Sequence, residues 1–155
     1  MKHQIKSFSY AFKGIWYCIT HEGHFRFHLV ATAYVVFFGI RFYDFSAAQW
    51  GVLAVLIALV LSMEILNTSI ERLCDKVKKS YDDLIKIAKD VAAGAVLFSA
   101  VTAIIVAVVF YWDTARFTEI FTYYTTHIPH LLALIGSIVA AVLFCALCKS
   151  KDKRK

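Results

Sequence analysis

The sequence is poor in helix-breaking residues and in the charged residues that keep a protein in water. Its 155 residues include one proline and six glycines, and charged residues make up only 18%, against about 25% in an average soluble domain. Hydrophobic residues reach 60%, and the mean hydropathy is +0.65. So few polar side chains cannot cover a soluble domain of this size, and disorder would need lower hydrophobicity. The composition therefore predicts an integral membrane protein.

Four apolar stretches are long enough to cross a bilayer as helices, which takes about 20 residues each. They lie at about residues 27–43, 47–66, 91–112 and 129–148. The third stretch carries no charge, and Pro129 begins the fourth, where a helix tolerates proline. The expected fold is all-α, a polytopic bundle of four transmembrane helices.

The basic residues alternate between the two sides of these spans. The numbers of Lys and Arg before, between and after the four spans are 4, 1, 6, 1 and 5, which puts 15 of the 17 on one side. Basic loops face the cytoplasm, so we expect both termini and the central loop to be cytoplasmic. The net charge of +6 then reflects contact with anionic lipid and not with nucleic acid.

Residues 4–24 are predicted to form an amphipathic helix that lies on the membrane surface. Aromatic and aliphatic residues recur there at spacings of three or four, with basic residues between them: Phe8, Phe12, Ile15, Trp16 and Ile19. The alternative is a helix packed on the protein itself. No cleavage-site pattern follows the first span, so we expect the N-terminal residues to be retained.

The end of the second span carries a stripe of acidic and amide side chains. Glu64, Asn67, Glu71 and Asp75 fall within roughly 80° of one another on a helix. Carboxylates at such short distances repel each other unless one is protonated or a cation neutralises them. Oxygen ligands of this kind suit Mg²⁺. The alternative is a solvated helix end paired with nearby lysines, which fits Asp75 better than Glu64.

Other charged residues are predicted on the same side of the membrane. Lys89 and Asp90 begin the third span, and Glu22 precedes the first. A lysine near phosphate and a carboxylate near a metal are recurring parts of phosphoryl transfer. The residues alone fit a reaction between a soluble anion with Mg²⁺ and a lipid, at the cytoplasmic membrane surface. The sequence contains none of the phosphate-loop or protein-kinase motifs of soluble nucleotide enzymes.

Two hypotheses from other classes of protein, a transport protein and a non-catalytic protein, remain open at this point. The stripe of Glu64 and Glu71 could form the cation path of a small channel or transporter. The chain could also be a non-catalytic membrane adaptor.

Two segments are similar to signatures of the small prokaryotic diacylglycerol kinase/undecaprenol kinase family. They are EILNTSIERLCD at residues 64–75 and IAKDVAAGAVL at residues 87–97. SYAFKG at residues 9–14 and HEGHFRFH at residues 21–28 fit the same pattern. The resemblance extends over about residues 7–112 in the correct order.

This resemblance implies a homotrimeric kinase of the bacterial cytoplasmic membrane that phosphorylates a lipid hydroxyl with MgATP. Glu64 matches the family's general base and Asn67 a residue that supports it. Glu22 and Glu71 match the carboxylates that hold the metal. The nucleotide-binding positions that it implies are Tyr10, Glu22, Glu71, Asp75, Ser80, Tyr81, Asp82, Lys89 and Asp90.

The chain also departs from the family. A basic residue that some members carry near the N-terminus would be His3 here. His28 replaces an acid found in some diacylglycerol-preferring members, which favours undecaprenol as substrate and leaves diacylglycerol as the alternative. Residues 1–112 are then the kinase-like membrane domain, and residues 113–155 add an external loop, the fourth span and a basic cytoplasmic tail.

Two further pairs could bind a metal. Cys145 and Cys148 could form a zinc or redox pair, and His24 and His28 are four residues apart. No second cysteine pair completes a zinc site. We therefore expect free thiols in the first case and interfacial packing in the second.

Overall fold

The computed structural model describes residues 2–77 and 82–147, and these residues form α-helices and no strand. The helices within those ranges are α1 Lys2–His21, α2 Gly23–Phe42, α3 Ala47–Val77, α4 Asp83–Tyr111, α5 Thr114–Thr126 and α6 Ile128–Ala146. This confirms the all-α prediction.

Four of the described helices, α2, α3, α4 and α6, are long and apolar enough to cross a membrane. They coincide with the four predicted spans. The second span was expected to end near residue 66 and the third to begin near residue 91, but α3 has 31 residues and α4 has 29. Both helices continue past their apolar segments, because hydropathy marks where a helix meets lipid and not where it ends. Their polar extensions carry the acidic stripe and Lys89.

A capping residue sets the start of α4. The carboxylate of Asp82 accepts hydrogen bonds from the backbone N–H groups of Leu84 at 3.0 Å and Ile85 at 3.4 Å. These N–H groups have no partner inside the helix, and Asp is among the residues preferred for this role. Asp82 therefore has a local structural role at the start of the third span.

The apolar face of α1 is not covered by the rest of the chain. Phe8, Phe12 and Trp16 are 68%, 70% and 66% exposed, whereas Cys18 is buried. Rings that are packed against the protein would be buried. The exposure favours the helix lying on the membrane over the alternative of packing on its own chain.

The segment expected to be an external loop contains a helix, α5. Asp113 caps it by accepting from the N–H groups of Ala115 at 2.9 Å and Arg116 at 3.2 Å. Its 13 residues mix polar and aromatic side chains, so they give no apolar run of spanning length. Tyr124 is buried, and its ring lies 6.1 Å from that of Phe42.

Close packing at one end of the bundle joins α2 to α3 and α4. A Cβ atom on Gly39 would lie 2.7 Å from the Tyr111 hydroxyl and 2.8 Å from the Trp50 ring. The Tyr111 hydroxyl donates to the carbonyl oxygen of Val35 at 2.6 Å, and Tyr43 donates to that of Tyr111 at 2.9 Å. The acidic stripe of α3 lies at the opposite end of the bundle.

Candidate active site

A buried carboxylate stands at the centre of the site. Glu64 of α3 is 5% exposed, and its Oε1 lies 3.3 Å from Nε2 of His28 on α2. Burying a carboxylate is costly unless a partner stabilises it. Glu64 is therefore the partner that the structure gives His28, and His24 is exposed.

Asn67 and Glu71 lie one turn apart on α3 and are hydrogen-bonded. Asn67 Nδ2 donates to Glu71 Oε1 at 3.1 Å. The other polar atom of the amide, Asn67 Oδ1, is buried and accepts no hydrogen bond within the described structure. A buried acceptor without a donor is uncommon in proteins and marks a place where a ligand, water or ion could bind.

Glu22 joins the junction of α1 and α2 to α3. It precedes α2 as its capping residue, but its side chain makes no capping hydrogen bond. Its Oε1 instead accepts from Arg72 at 2.7 Å, and the Arg72 guanidinium lies 5.5 Å from the centre of the Tyr17 ring. Sequence reasoning missed Arg72, although it directly follows Glu71 in the acidic stripe.

Cys18 lies near both acidic positions. Burial raises the pKa of its thiol, and the negative charges of Glu22 and Glu64 raise that pKa further. The thiol is therefore protonated at neutral pH. Because the charges of Glu22 and Glu64 both reach this one side chain, the structure places these two acids at the same end of the bundle.

Asp75 forms an ion pair with a lysine, as the solvated-helix alternative expected, but the lysine belongs to the next helix. Lys89 Nζ lies 2.8 Å from Asp75 Oδ1. Both side chains are substantially exposed, so the pair adds little to stability. Lys89 is also within electrostatic reach of Glu71, which places a cation beside the acidic stripe.

The remaining predicted nucleotide-binding residues are more dispersed. Tyr10 is 67% exposed on α1, where Lys13 lies over its ring at 5.8 Å. Asp90 is exposed on α4. Ser80 and Tyr81 lie outside the described residues, as do Cys148 and the side chain of His3.

The described side chains supply oxygen donors for a divalent cation, but they do not form a complete metal cage. Among residues 6–77 and 82–147 there is no group of three or more His, Cys, Asp or Glu side chains arranged to hold a metal. Mg²⁺ needs only one or two carboxylates when phosphate and water complete its shell. Glu71 and the unpaired Asn67 Oδ1 fit that requirement, whereas the Glu22 carboxylate is bound to Arg72.

Fold and site together define a polytopic membrane protein with a buried carboxylate and paired charges at one end of its bundle. A sequence profile described as prokaryotic diacylglycerol kinase matches residues 9–111. The chain belongs to the prokaryotic diacylglycerol kinase family. It is an integral membrane lipid kinase, and membership of a kinase family implies that it uses ATP. This result favours an enzyme over the channel and adaptor hypotheses.

Individual relatives carry two different names. The chain is 37% identical over 106 residues to the undecaprenol kinase of Bacillus subtilis (strain 168), covering 68% of this chain and 85% of that one. It is 42% identical over 101 residues to a diacylglycerol kinase of Synechocystis sp., covering 64% and 57%. It is 32% identical over 109 residues to the diacylglycerol kinase of Escherichia coli (strain K12), covering 70% and 88%.

Proposed function

We propose that the protein transfers the γ-phosphoryl group of MgATP to the hydroxyl of undecaprenol, with diacylglycerol as the second candidate acceptor. One observation carries the proposal: the 3.3 Å contact between His28 and the buried Glu64. An imidazole occupies the position where some diacylglycerol-preferring members carry an acid. The similarity to the undecaprenol kinase of Bacillus subtilis is compatible with this choice, and the similarity to diacylglycerol kinases keeps diacylglycerol as the second candidate.

Glu64 is the proposed general base. It lies where α3 leaves its most apolar segment, so a lipid hydroxyl can approach from the bilayer while the nucleotide approaches from water. A desolvated carboxylate within hydrogen-bond reach of the hydroxyl accepts its proton as the phosphoryl group is transferred. His28 orients Glu64, and Asn67 one turn away supports the arrangement by holding Glu71.

The ion pairs beside Glu64 form the proposed nucleotide site. Lys89 and Arg72 provide cations beside the proposed nucleotide site. In the structure each is paired with a carboxylate, and in the proposed complex each would bind a phosphate oxygen. We assign metal binding to Glu71 and to Glu22, which requires Arg72 to release the Glu22 carboxylate when the nucleotide binds. Bound Mg²⁺ would offset the negative charge of the phosphates. The proposed nucleotide contacts are completed by Tyr10, Asp75, Ser80, Tyr81, Asp82 and Asp90.

We further propose a homotrimer with both termini in the cytoplasm. Exposed small residues on α4 support close contact between subunits, because a Cβ atom on Gly94 would meet no atom within 4 Å. Small residues let helices approach closely in lipid. The basic-residue alternation supports the orientation.

A lipid phosphorylation assay tests the proposed substrate. The full chain, purified in detergent, is given γ-labelled ATP and Mg²⁺ with either undecaprenol or diacylglycerol as acceptor. We expect labelled undecaprenyl phosphate to form with the higher kcat/KM. Faster labelling of diacylglycerol would reverse the substrate assignment, and no labelled lipid from either acceptor would contradict the proposed function.

A further inference from the structure

A cavity lies between α2, α5 and α6, towards the opposite end of α2 from Glu22. Its volume is about 620 Å³, within the range of about 300–1,000 Å³ typical of small-molecule sites. Apolar side chains line most of it, including Val30, Phe37 and Leu134. The α6 wall lies beyond residues 9–111, the part of the chain that the family profile matches.

One end of this cavity carries an arginine without an acidic partner. The Arg41 guanidinium lies 4.6 Å from the centre of the Tyr123 ring and 5.1 Å from that of Phe42. No carboxylate in the described part of the chain pairs with it. His130 also lines the cavity, with its ring 5.3 Å from that of Tyr123.

The other arginine at this end of the bundle is neutralised. Arg116 lies 2.8 Å from Asp44 and 2.9 Å from Glu119. Charged side chains near lipid usually pair with an opposite charge or mark a functional site. Among the described residues, Arg41 therefore has no acidic partner, whereas Asp44 and Glu119 are both bound to Arg116.

The remaining walls determine what kind of anion fits. The Tyr34 hydroxyl and Ser137 Oγ are 2.9 Å apart and join α2 to α6. Because these hydroxyls bind each other, the part of the cavity next to Arg41 offers a ligand mainly apolar surface. A small inorganic anion has no apolar part that could pack against this surface. A zwitterionic headgroup would bring an ammonium group, and no carboxylate is among the residues that line the cavity.

We propose that this cavity binds one anionic phospholipid, with its phosphate on Arg41 and an acyl chain between α2 and α6. His130 adds a ring nitrogen that can hydrogen-bond to the headgroup. The site is separate from the phosphoryl-transfer site and would exist whichever lipid the kinase phosphorylates. It gives the additional α6 helix a role in lipid recognition.

Native mass spectrometry of the delipidated full chain in detergent tests this proposal. The protein is titrated with phosphatidylglycerol and with phosphatidylcholine of identical acyl chains. Both headgroups carry a phosphate that Arg41 can bind, but phosphatidylcholine adds an ammonium group that Arg41 repels and that no lining carboxylate offsets. Phosphatidylglycerol should therefore bind about tenfold more tightly. Arg41→Gln should abolish that preference, and Arg116→Gln, which alters the neutralised arginine, should retain it.

A cavity-filling variant distinguishes binding of the acyl chain in the cavity from general attraction between charges. Ala133→Phe should weaken binding of both lipids while the helical circular dichroism stays unchanged. Equal binding of the two lipids by the original protein, or an unchanged preference in Arg41→Gln, would overturn the proposal. If Ala133→Phe changed the number of subunits and left lipid binding intact, a second copy of the chain would occupy the cavity, which would equally overturn it.

Discussion

At the residue scale, the site depends on a few polar contacts made by α3. Glu64, Asn67 and Glu71 follow the helical period, so their shared face could be predicted from the sequence. The partner of Glu64 could not, because His28 lies on α2 and its distance from Glu64 depends on how α2 packs against α3. The unpaired Asn67 Oδ1 also has no signal in the sequence.

Replacing Asn67 should weaken nucleotide use more than it weakens folding. In Asn67→Ala, Glu71 loses the 3.1 Å hydrogen bond that holds its carboxylate. One hydrogen bond contributes about 1 kcal/mol, so we expect KM for MgATP to rise about fivefold. Steady-state kinetics at saturating lipid would measure it.

Ser69→Ala is the matched control for that variant. Ser69 lies on the same helix and is exposed, and its hydroxyl donates to the carbonyl oxygen of Ile65 at 2.8 Å. Its KM for MgATP should not change. Equal KM values for the two variants would refute the role assigned to Asn67.

At the element scale, hydropathy was sufficient for the four spanning helices and insufficient for their connections. The 13 residues of α5 have no long apolar run, and the cap at Asp113 was the available signal. The docking of α6 depends on contacts between distant parts of the chain. Arg26 provides the main example, since it bonds to Phe144, 118 residues away.

Arg26 joins the carboxyl ends of two helices to α2. Its guanidinium donates to the carbonyl oxygens of Phe144 at 2.7 Å and Thr20 at 2.9 Å, and its Nε donates to Ile19. Carbonyls at helix ends lack partners within the helix, and a cation there is favoured by the helix dipole. Arg26 therefore holds the ends of α1 and α6 against α2, close to Glu22.

Arg26→Gln should destabilise the protein. Each carbonyl left without a donor costs about 1–3 kcal/mol when it is shielded from water, so the melting temperature in detergent should fall by several degrees. Lys13→Gln, on the exposed face of α1, should melt like the original protein. A melting temperature for Arg26→Gln within one degree of that control would contradict this account of helix docking.

At the scale of the whole molecule, the two ends of the bundle differ in charge. One end has the acidic stripe with Lys89 and Arg72, and the other has Arg41 and the neutralised Arg116. The sequence predicts which end faces the cytoplasm from the basic residues alone, because their asymmetry directs membrane insertion. It cannot predict the subunit contacts, which depend on surfaces of several helices at once.

Cysteine labelling in intact cells would test this orientation. In a background where the native cysteines are replaced by serine, Glu119→Cys should react with a membrane-impermeant maleimide. Lys13→Cys should react only after the cells are opened. The reverse pattern would place the acidic site outside the cytoplasm, where ATP is scarce, and would contradict the proposed topology.

The central claim is that Glu64 accepts the proton of the lipid hydroxyl. The most direct measurement is kcat for Glu64→Gln at saturating MgATP and undecaprenol, compared with Glu119→Gln at the opposite end of the molecule. Removing a general base should lower kcat about 10²–10⁴-fold and leave KM for MgATP within about twofold, while Glu119→Gln keeps full activity. Full activity in Glu64→Gln would contradict the claim.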